Sequence, residues 1–513
     1  VVVAVPLHPS FRSRLREAIG QQKAAARRAE GPRELVYEPV EDAQDRSDTE
    51  QALWIADTLG GSWQRENVGA GTCLVVERCY PAAWNHGNGD VGSYAEALAR
   101  HRRALSRFGP AAGNDGMLFD EPDSSLLFFD LETTGLSGGA GTCAFLVGYG
   151  WFDAEAFRTR QYFLAGYGHE PAMLRMAGRH VVEFDRTGMA RPGVFDAPPG
   201  IDADSGARCS LVTFNGRTFD VPLIENRYLF HRLASPFDRM RHLDLLHPAR
   251  RLWRYRPSAP RRAEGGPFAQ HLRTSALRDE FRRARRLDLS ASAAGCALQE
   301  LEDAVLGFRR SGDVPGAEIP ARYFHYVRTG DVRPLQPVLE HNRLDLLSLA
   351  GLTSVVARMI EQGPDAARNT HECLALGRFY ERAGSSERAT VCYEMAAACS
   401  RTAAPVEDAA VQREALRHLA LRYRREGRHA EAAAAWQQLL DCAGATDAGT
   451  LDACALEALQ ALAVHNEHRS RDFEAARSLV LRALPAARCP REQESLRHRL
   501  ARLDRKLDEW GRG

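Results

Sequence analysis

Lysine is nearly absent from this chain: Lys23 and Lys506 are the only two in 513 residues, although Lys+Arg totals 68. Arginine therefore carries the positive charge, a bias that a GC-rich genome explains. With 67 Asp+Glu the formal net charge is +1. So small an imbalance excludes a uniformly basic nucleic-acid binder, though not a local basic stripe. Paired cysteine motifs are missing as well. The eleven cysteines are scattered from Cys73 to Cys489 without a CxxC pair, which excludes a disulfide scaffold and gives no zinc signature. Long apolar runs are also lacking. The uncharged stretch 133–152 is rich in Gly, Ser and Thr in its first half, too polar to span a membrane. The opening VVVAVPLHPSFRSRLREAIG has none of the basic start, long apolar core and small-residue cleavage site of a signal peptide. A cytoplasmic protein without membrane contact is expected.

What is present has a globular balance, 44% hydrophobic and 26% charged, and the length suggests about three domains at roughly 150 residues each. Residues 1–120 are mixed: a helix-like arginine-rich stretch (11–28), a β-like segment (71–80), a helical stretch (94–108) and a Gly/Asp/Pro linker (109–123). They are expected to form a packing or docking appendage. From residue 121 to 362 the pattern is α/β. SSLLFF (124–129), CAFLVGYGWF (143–152) and FRTRQYFLA (157–165) read as three strands. A helix follows from Glu170, then a loop insertion (186–208), a strand SLVTF (210–214), a helix (221–233), a short strand HLDLL (242–246) and a closing helix over 334–359. Strands followed by alternating helix and strand imply a mixed sheet with helices.

Residues 366–513 carry a repeat of 43 residues. Leu376-Gly377, Leu419-Ala420 and Leu462-Ala463 align, as do Tyr380, Tyr423 and Asn466; Gly384, Gly427 and Ser470; Ala389, Ala432 and Ala475; and Tyr393, Trp436 and Leu479. LGxxYxxxGxxxxAxxxY and its second copy match tetratricopeptide offsets, in which small residues let paired helices approach and aromatics fill the gaps. Extra residues fall in linkers such as RTAAPVED (401–408). Residues 490–510, with Leu496, Leu500, Leu503 and Leu507, read as a capping helix. An all-α repeat domain that docks a protein partner is expected.

Three segments carry candidate chemistry. In FFDLETTG, Asp130 and Glu132 are two apart on one strand and share a face. Adjacent carboxylates repel, and a divalent cation with oxygen ligands is a natural partner; the same pair also suits a solvated strand end. TFNGRTFDVPLI places Asn215 at a strand end and Asp220 near a helix start. EHNRLDLLSLAGL places His341 and Asp345 four apart on one helical face. An Asp among Leu344, Leu346, Leu347 and Leu349 should meet a partner.

FFDLETTGL, TFNGRTFDVPLI and HNRLDLLSL resemble, in order and context, the three motifs of the DEDD exonucleases, which have an RNase H-like fold. The chain is similar in particular to the YprB-like group of bacterial proteins, which join such a domain to tetratricopeptide repeats. HLDLLHPARRLWR and LGFRRSGDVPGAEIPARYFHYVRTG share that likeness. The resemblance implies a 3′–5′ exonuclease acting on single-stranded DNA or RNA with two divalent cations, Mg²⁺ or Mn²⁺. It makes Asp130, Glu132, Asp220 and Asp345 the metal ligands and His341 the general base. Two ions could supply the nucleophile and stabilise the leaving oxygen, and a histidine titrating near neutrality could take the proton. One feature departs from the family. Its subclasses place a His five residues, or a Tyr four residues, before the last Asp, whereas His341 lies four before Asp345.

Asp244, among the apolar residues of HLDLLH, is expected to support the metal site from behind or to bind a backbone amide. From Arg239 to Arg286 there are fourteen Arg against four acids, interleaved with Trp253, Tyr255 and Phe268, a footprint suited to phosphates and stacked bases of a single strand. Arg250, Arg251 and Arg254, with Asn215 and Thr133, are the expected substrate contacts. A non-catalytic nucleic-acid-binding scaffold and an RNase H-type endonuclease are the alternative readings.

Overall fold

The computed structural model describes residues 47–66, 71–108, 125–135, 141–153, 156–187, 209–238, 240–254, 296–398, 406–443, 452–487 and 489–510. The expected helix over 11–28, the linker 109–123, nearly all of the insertion 186–208 and the arginine-rich stretch beyond Arg254 lie outside them.

Seven of the described strands form one mixed sheet: β1 (Ser62–Arg65), β2 (Thr72–Pro81), β5 (Ser125–Thr133), β6 (Ala144–Phe152), β7 (Ala156–Phe163), β8 (Cys209–Thr213) and β9 (Arg241–Asp244). A small hairpin, β3 (Asn85–His86) with β4 (Gly89–Asp90), stands apart. The order in the large sheet is β1-β2-β7-β6-β5-β8-β9. Strands β5, β6 and β7 form an antiparallel meander, whereas β8 and β9 run parallel to β5. Parallel neighbours need crossover connections, which α3 (Glu170–Thr187) and α4 (Asp220–Phe230) supply.

The N-terminal region is no simple appendage. Strand β2 pairs antiparallel with β7 from Leu74↔Phe163 to Pro81↔Ala156, and β1 pairs with β2. A boundary at residue 120 therefore cuts through one sheet. Helix α1 (Asp48–Leu59) enters through a capping box of Ser47 and Glu50, and its Ile55 and Leu59 join the sheet core. Helix α2 (Val91–His101) packs on the long helix described next.

Side chains on β5 alternate. Leu127, Phe129 and Leu131 share a core with Met173, Val181 and Phe184 of α3 and Leu223 and Ile224 of α4. Phe128 turns to the other face and joins Leu346 and Leu347 of α8 (Gln336–Gln362). That helix opens with Pro337 in its first turn, where no intrahelical N–H is lost. It can lie close to the sheet because β6 carries glycines beneath it. A Cβ on Gly148 would sit 2.2 Å from Asn342 Oδ1, and one on Gly150 would sit 3.4 Å from Leu346 Cβ.

Among the described residues between β9 and α8 are three short α-helices: α5 (Leu246–Trp253), α6 (Leu298–Leu301) and α7 (Ile319–Thr329). Beyond α8 the described residues are nearly all helical. They run through α9 (Thr370–Arg382), α10 (Ser386–Ala397), α11 (Val406–Arg425), α12 (His429–Ala443), α13 (Ala453–His465), α14 (Phe473–Ala483) and α15 (Pro490–Trp510). Each helix packs on the next, and α11 also touches α9 and α13, so helix pairs stack along one direction. The 43-residue columns fall at equivalent places. Leu376, Leu419 and Leu462 are buried, as are Tyr393 and Trp436. A Cβ on Gly377 would meet the Tyr393 ring at 2.5 Å, which is why a small residue stands there. Gly384 and Gly427 take left-handed φ values of 73° and 77° at the turns within the first two pairs. The third pair has Ser470 at that column, and Arg471 takes the left-handed conformation (φ 56°) after a π turn over Asn466–Ser470. The expected linker 401–408 is shorter than the sequence suggested, since α11 begins at Val406. No described helix is long and apolar enough to cross a membrane.

Candidate metal centre at the sheet edge

Asp130 and Glu132 lie at the end of β5 on the face that α8 covers. Asn342 of α8 donates from Nδ2 to Asp130 Oδ2 at 2.7 Å. Its amide is oriented by Gln161 of β7, whose Nε2 donates to Asn342 Oδ1 (2.9 Å) and to Leu339 O (2.9 Å). The register carries this bridge across the sheet: Asp130 lies opposite Gly148, and Gly148 opposite Gln161. Asn342 and Gln161 are fully buried, so their hydrogen bonds hold the helix in one position over the carboxylates.

One turn of α8 brings His341 and Asp345 to the same edge. His341 Nε2 lies 3.5 Å from Asp345 Oδ2. Ligand atoms of Glu132, His341 and Asp345 all lie within 4.8 Å of one another. Asp220 enters from β8, as the first residue of α4. The loop before it passes through Asn215 in the left-handed region (φ 67°). Asp244, at the end of β9, fixes that loop by accepting the backbone N–H groups of Asn215 (2.8 Å), Arg217 (3.1 Å) and Leu246 (3.1 Å). Of the two roles expected for Asp244, this is amide binding.

The carboxylates repel one another. Burial pushes Asp130 well above the usual carboxylate range, and Asp345 and Asp220 push it further, against the hydrogen bond from Asn342. Glu132 is raised well above its ordinary value by burial, then by Asp130, Asp345 and Asp220. Asp220 rises to about 7, through burial, then Asp244, then Asp345. Every pair among Asp130, Glu132, Asp220 and Asp345 thus interacts unfavourably when both are ionised.

Among the described residues, one cation reaches this group. Arg310, only 5% exposed at its side chain, pairs with Asp345 and Glu302. Its Nη1 also lies 3.2 Å from Asp313 Oδ2 and 3.3 Å from His341 Nδ1. Asp313 Oδ1 is 2.8 Å from His341 Nδ1. Its guanidinium is thus shared by three carboxyls, those of Glu302, Asp313 and Asp345. The four inner oxygen donors fit hard divalent cations, and their mutual repulsion is what such a cation would relieve.

The remaining expectations divide. Thr133 is buried, and its hydroxyl donates to Gly135 O at 2.9 Å, so it holds the turn after β5. Asn215 is exposed beside the Asp220 loop. Arg250 and Arg251 of α5 and the following Arg254 are exposed. Trp253, expected among base-stacking aromatics, is instead buried. Its Nε1 donates to Glu372 Oε1 of α9 at 3.0 Å, which ties the sheet domain to the helical region. Tyr255 and Phe268 lie outside the described residues. Arg310, Asp313, Glu302, Asn342 and Gln161 were not anticipated. A local signal existed for two of them: Gly307 and Gly312, left-handed at 67° and 71°, bracket Arg310, and Asp313 directly follows the second.

The described sheet joins an antiparallel meander to two parallel strands, with acids at the end of β5, the strand between them. Residues 127–259 and 268–357 match the family model described as RNase_H superfamily. That region has an RNase H-like fold. The chain is also similar to a protein of Bacillus subtilis (strain 168) named "Uncharacterized protein YprB", with 27% identity over 438 residues, 85% of this chain and 86% of that protein.

Proposed function

We propose that this protein is a metal-dependent 3′–5′ exonuclease that hydrolyses phosphodiester bonds of single-stranded DNA or RNA. The observation that carries this reading is the meeting of Asp130, Glu132, Asp220 and Asp345 at one sheet edge, with more negative charge than Arg310 can offset. These four carboxylates would hold two divalent cations, Mg²⁺ or Mn²⁺. Such a pair supplies an activated water and charge stabilisation at the leaving oxygen.

The chain's own residues do the rest. Asn342 fixes the Asp130 carboxylate, and Asp244 fixes the loop that delivers Asp220. Arg310 holds Asp345. His341 brings Nε2 to the same edge, either to take a proton from the attacking water or to bind a cation directly. The exposed Arg250, Arg251 and Arg254 take phosphates of the strand, and Asn215 reaches it from the Asp220 loop. The stacked helices, read as tetratricopeptide repeats, dock a protein partner.

End-labelled single strands of DNA and of RNA, incubated with the full chain and Mn²⁺, test this. Stepwise shortening from the 3′ end is expected. Internal cutting of RNA–DNA hybrids would favour an RNase H-type endonuclease. Retention of the strand without cutting would favour a binding scaffold.

A further inference from the structure

His341 is held unlike a free base. Its side chain is 10% exposed, and both ring nitrogens face carboxylates: Nδ1 lies 2.8 Å from Asp313 Oδ1, and Nε2 lies 3.5 Å from Asp345 Oδ2. Nδ1 has two contacts that need opposite tautomers. A bond to the Asp313 carboxylate needs a proton on Nδ1, whereas the 3.3 Å approach of Arg310 Nη1 needs a lone pair there. The shorter contact, to an ionised acceptor, is the stronger one. Arg310 has other acceptors in Asp345, Glu302 and Asp313. A proton on Nδ1 serves the Asp313 contact, and Nε2 then faces the edge where Glu132 and Asp345 place their oxygens.

Nε2 facing two carboxylates needs positive charge between them, carried by a ring proton or by a metal cation. Ligand atoms of Glu132, His341 and Asp345, mutually within 4.8 Å, leave room for a single ion. The carboxylate–imidazole pair behind them matches the way metal-binding histidines are oriented, with one ring nitrogen donating to a carboxylate and the other on the metal. We infer that His341 is a metal ligand through Nε2, that Asp313 is the residue that positions it, and that the Glu132–His341–Asp345 subsite takes a first-row transition ion such as Mn²⁺ in preference to Mg²⁺. The preference follows from the nitrogen donor, since imidazole suits transition ions better than Mg²⁺, which demands oxygen ligands. The inference rests on reading this edge as a cation site. It assigns His341 to binding rather than to proton transfer.

Pulsed electron paramagnetic resonance of the full chain with one equivalent of Mn²⁺ reads the bond directly. Nitrogen modulation on the Mn²⁺ signal is expected for the wild type. It should be lost in His341→Gln, while Mn²⁺ still binds through the carboxylates about ten-fold or more weakly and Mg²⁺ affinity stays within about three-fold. Asp313→Ala should keep the nitrogen modulation but weaken Mn²⁺ about ten-fold, the scale for loss of an orienting partner. Bound Mn²⁺ without nitrogen modulation in the wild type would overturn the assignment and leave the carboxylate site standing. Failure to bind Mn²⁺ at all would overturn both.

Discussion

Two buried acid sites in this molecule solve the same electrostatic problem in opposite ways. Near the C-terminus, the fully buried carboxylate of Glu467 receives Arg499 (2.6 Å), Arg502 (2.7 Å) and Lys506 (2.9 Å), all from α15. The hydrogen bond from Arg502, opposed by burial and aided by Lys506 and the other charges, holds it down to about 2. At the sheet edge the order is reversed: three carboxyls share Arg310, and Asp220 is driven up to about 7. A chain that places three cations on one structural acid does not lack the means to neutralise buried charge. That it leaves Asp130, Glu132, Asp220 and Asp345 short of partners points to a cation supplied from outside.

The largest expected effect lies at the sheet edge. Asp345→Asn should cut strand hydrolysis by about 10²–10³-fold, the scale for removing one preorganised charge-stabilising group. The same substitution keeps the shape and removes one repelling charge, so the metal-free protein should melt no lower than wild type. Turnover assays and thermal melts of one preparation check both halves. A large loss of stability would show that Asp345 is a structural acid of the Glu467 kind.

Glu467→Gln should behave in the opposite sense. Its loss leaves α15 without an anionic anchor and should cost about 2–3 kcal/mol, from hydrogen bonds to a charged group, with strand hydrolysis unchanged. The pH sense follows from the depressed value. Glu467 contributes stability that is complete above its unfolded value near 4.5 and is lost as pH falls toward about 2. Acid melts of wild type and Glu467→Gln should therefore converge over that interval. Parallel curves would mean that the cluster does not hold the carboxylate ionised.

A smaller and purely electrostatic effect is expected on α5. Arg251→Ala should weaken binding of single strands about equally across sequences and lower the salt slope of log K by about one. Filter binding at several salt concentrations reads the slope. An unchanged slope would place the strand elsewhere.

Much of this was legible because local pattern and tertiary role agree. The alternation of SLLFFDLET fixed which face of β5 carries Asp130 and Glu132, and the four-residue spacing of His341 and Asp345 placed both on one side of α8. The 43-residue columns located the turns at Gly384 and Gly427. The rest is long-range. Strand β2 reads as a strand by itself, but nothing in TCLVVERCYP marks β7 as its partner some eighty residues on. Trp253 carries the same local signal whether it stacks on a base or donates to Glu372. Asn342 stood inside a motif already singled out, yet its bond to Asp130 depends on Gly148, a residue on another strand whose missing side chain admits it. Arg310 and Asp313 gained meaning only when the turn that carries them was seen over His341.

Calorimetric titration of the metal-free full chain with Mn²⁺, beside Asp130→Asn and Asp345→Asn, tests the claim that the sheet edge is a cation site built by its mutually repelling carboxylates. Saturable binding to the wild type, weakened at least ten-fold in each variant while Glu467→Gln binds as wild type does, is the predicted result. Absence of binding, or wild-type affinity in Asp130→Asn and Asp345→Asn, would contradict it.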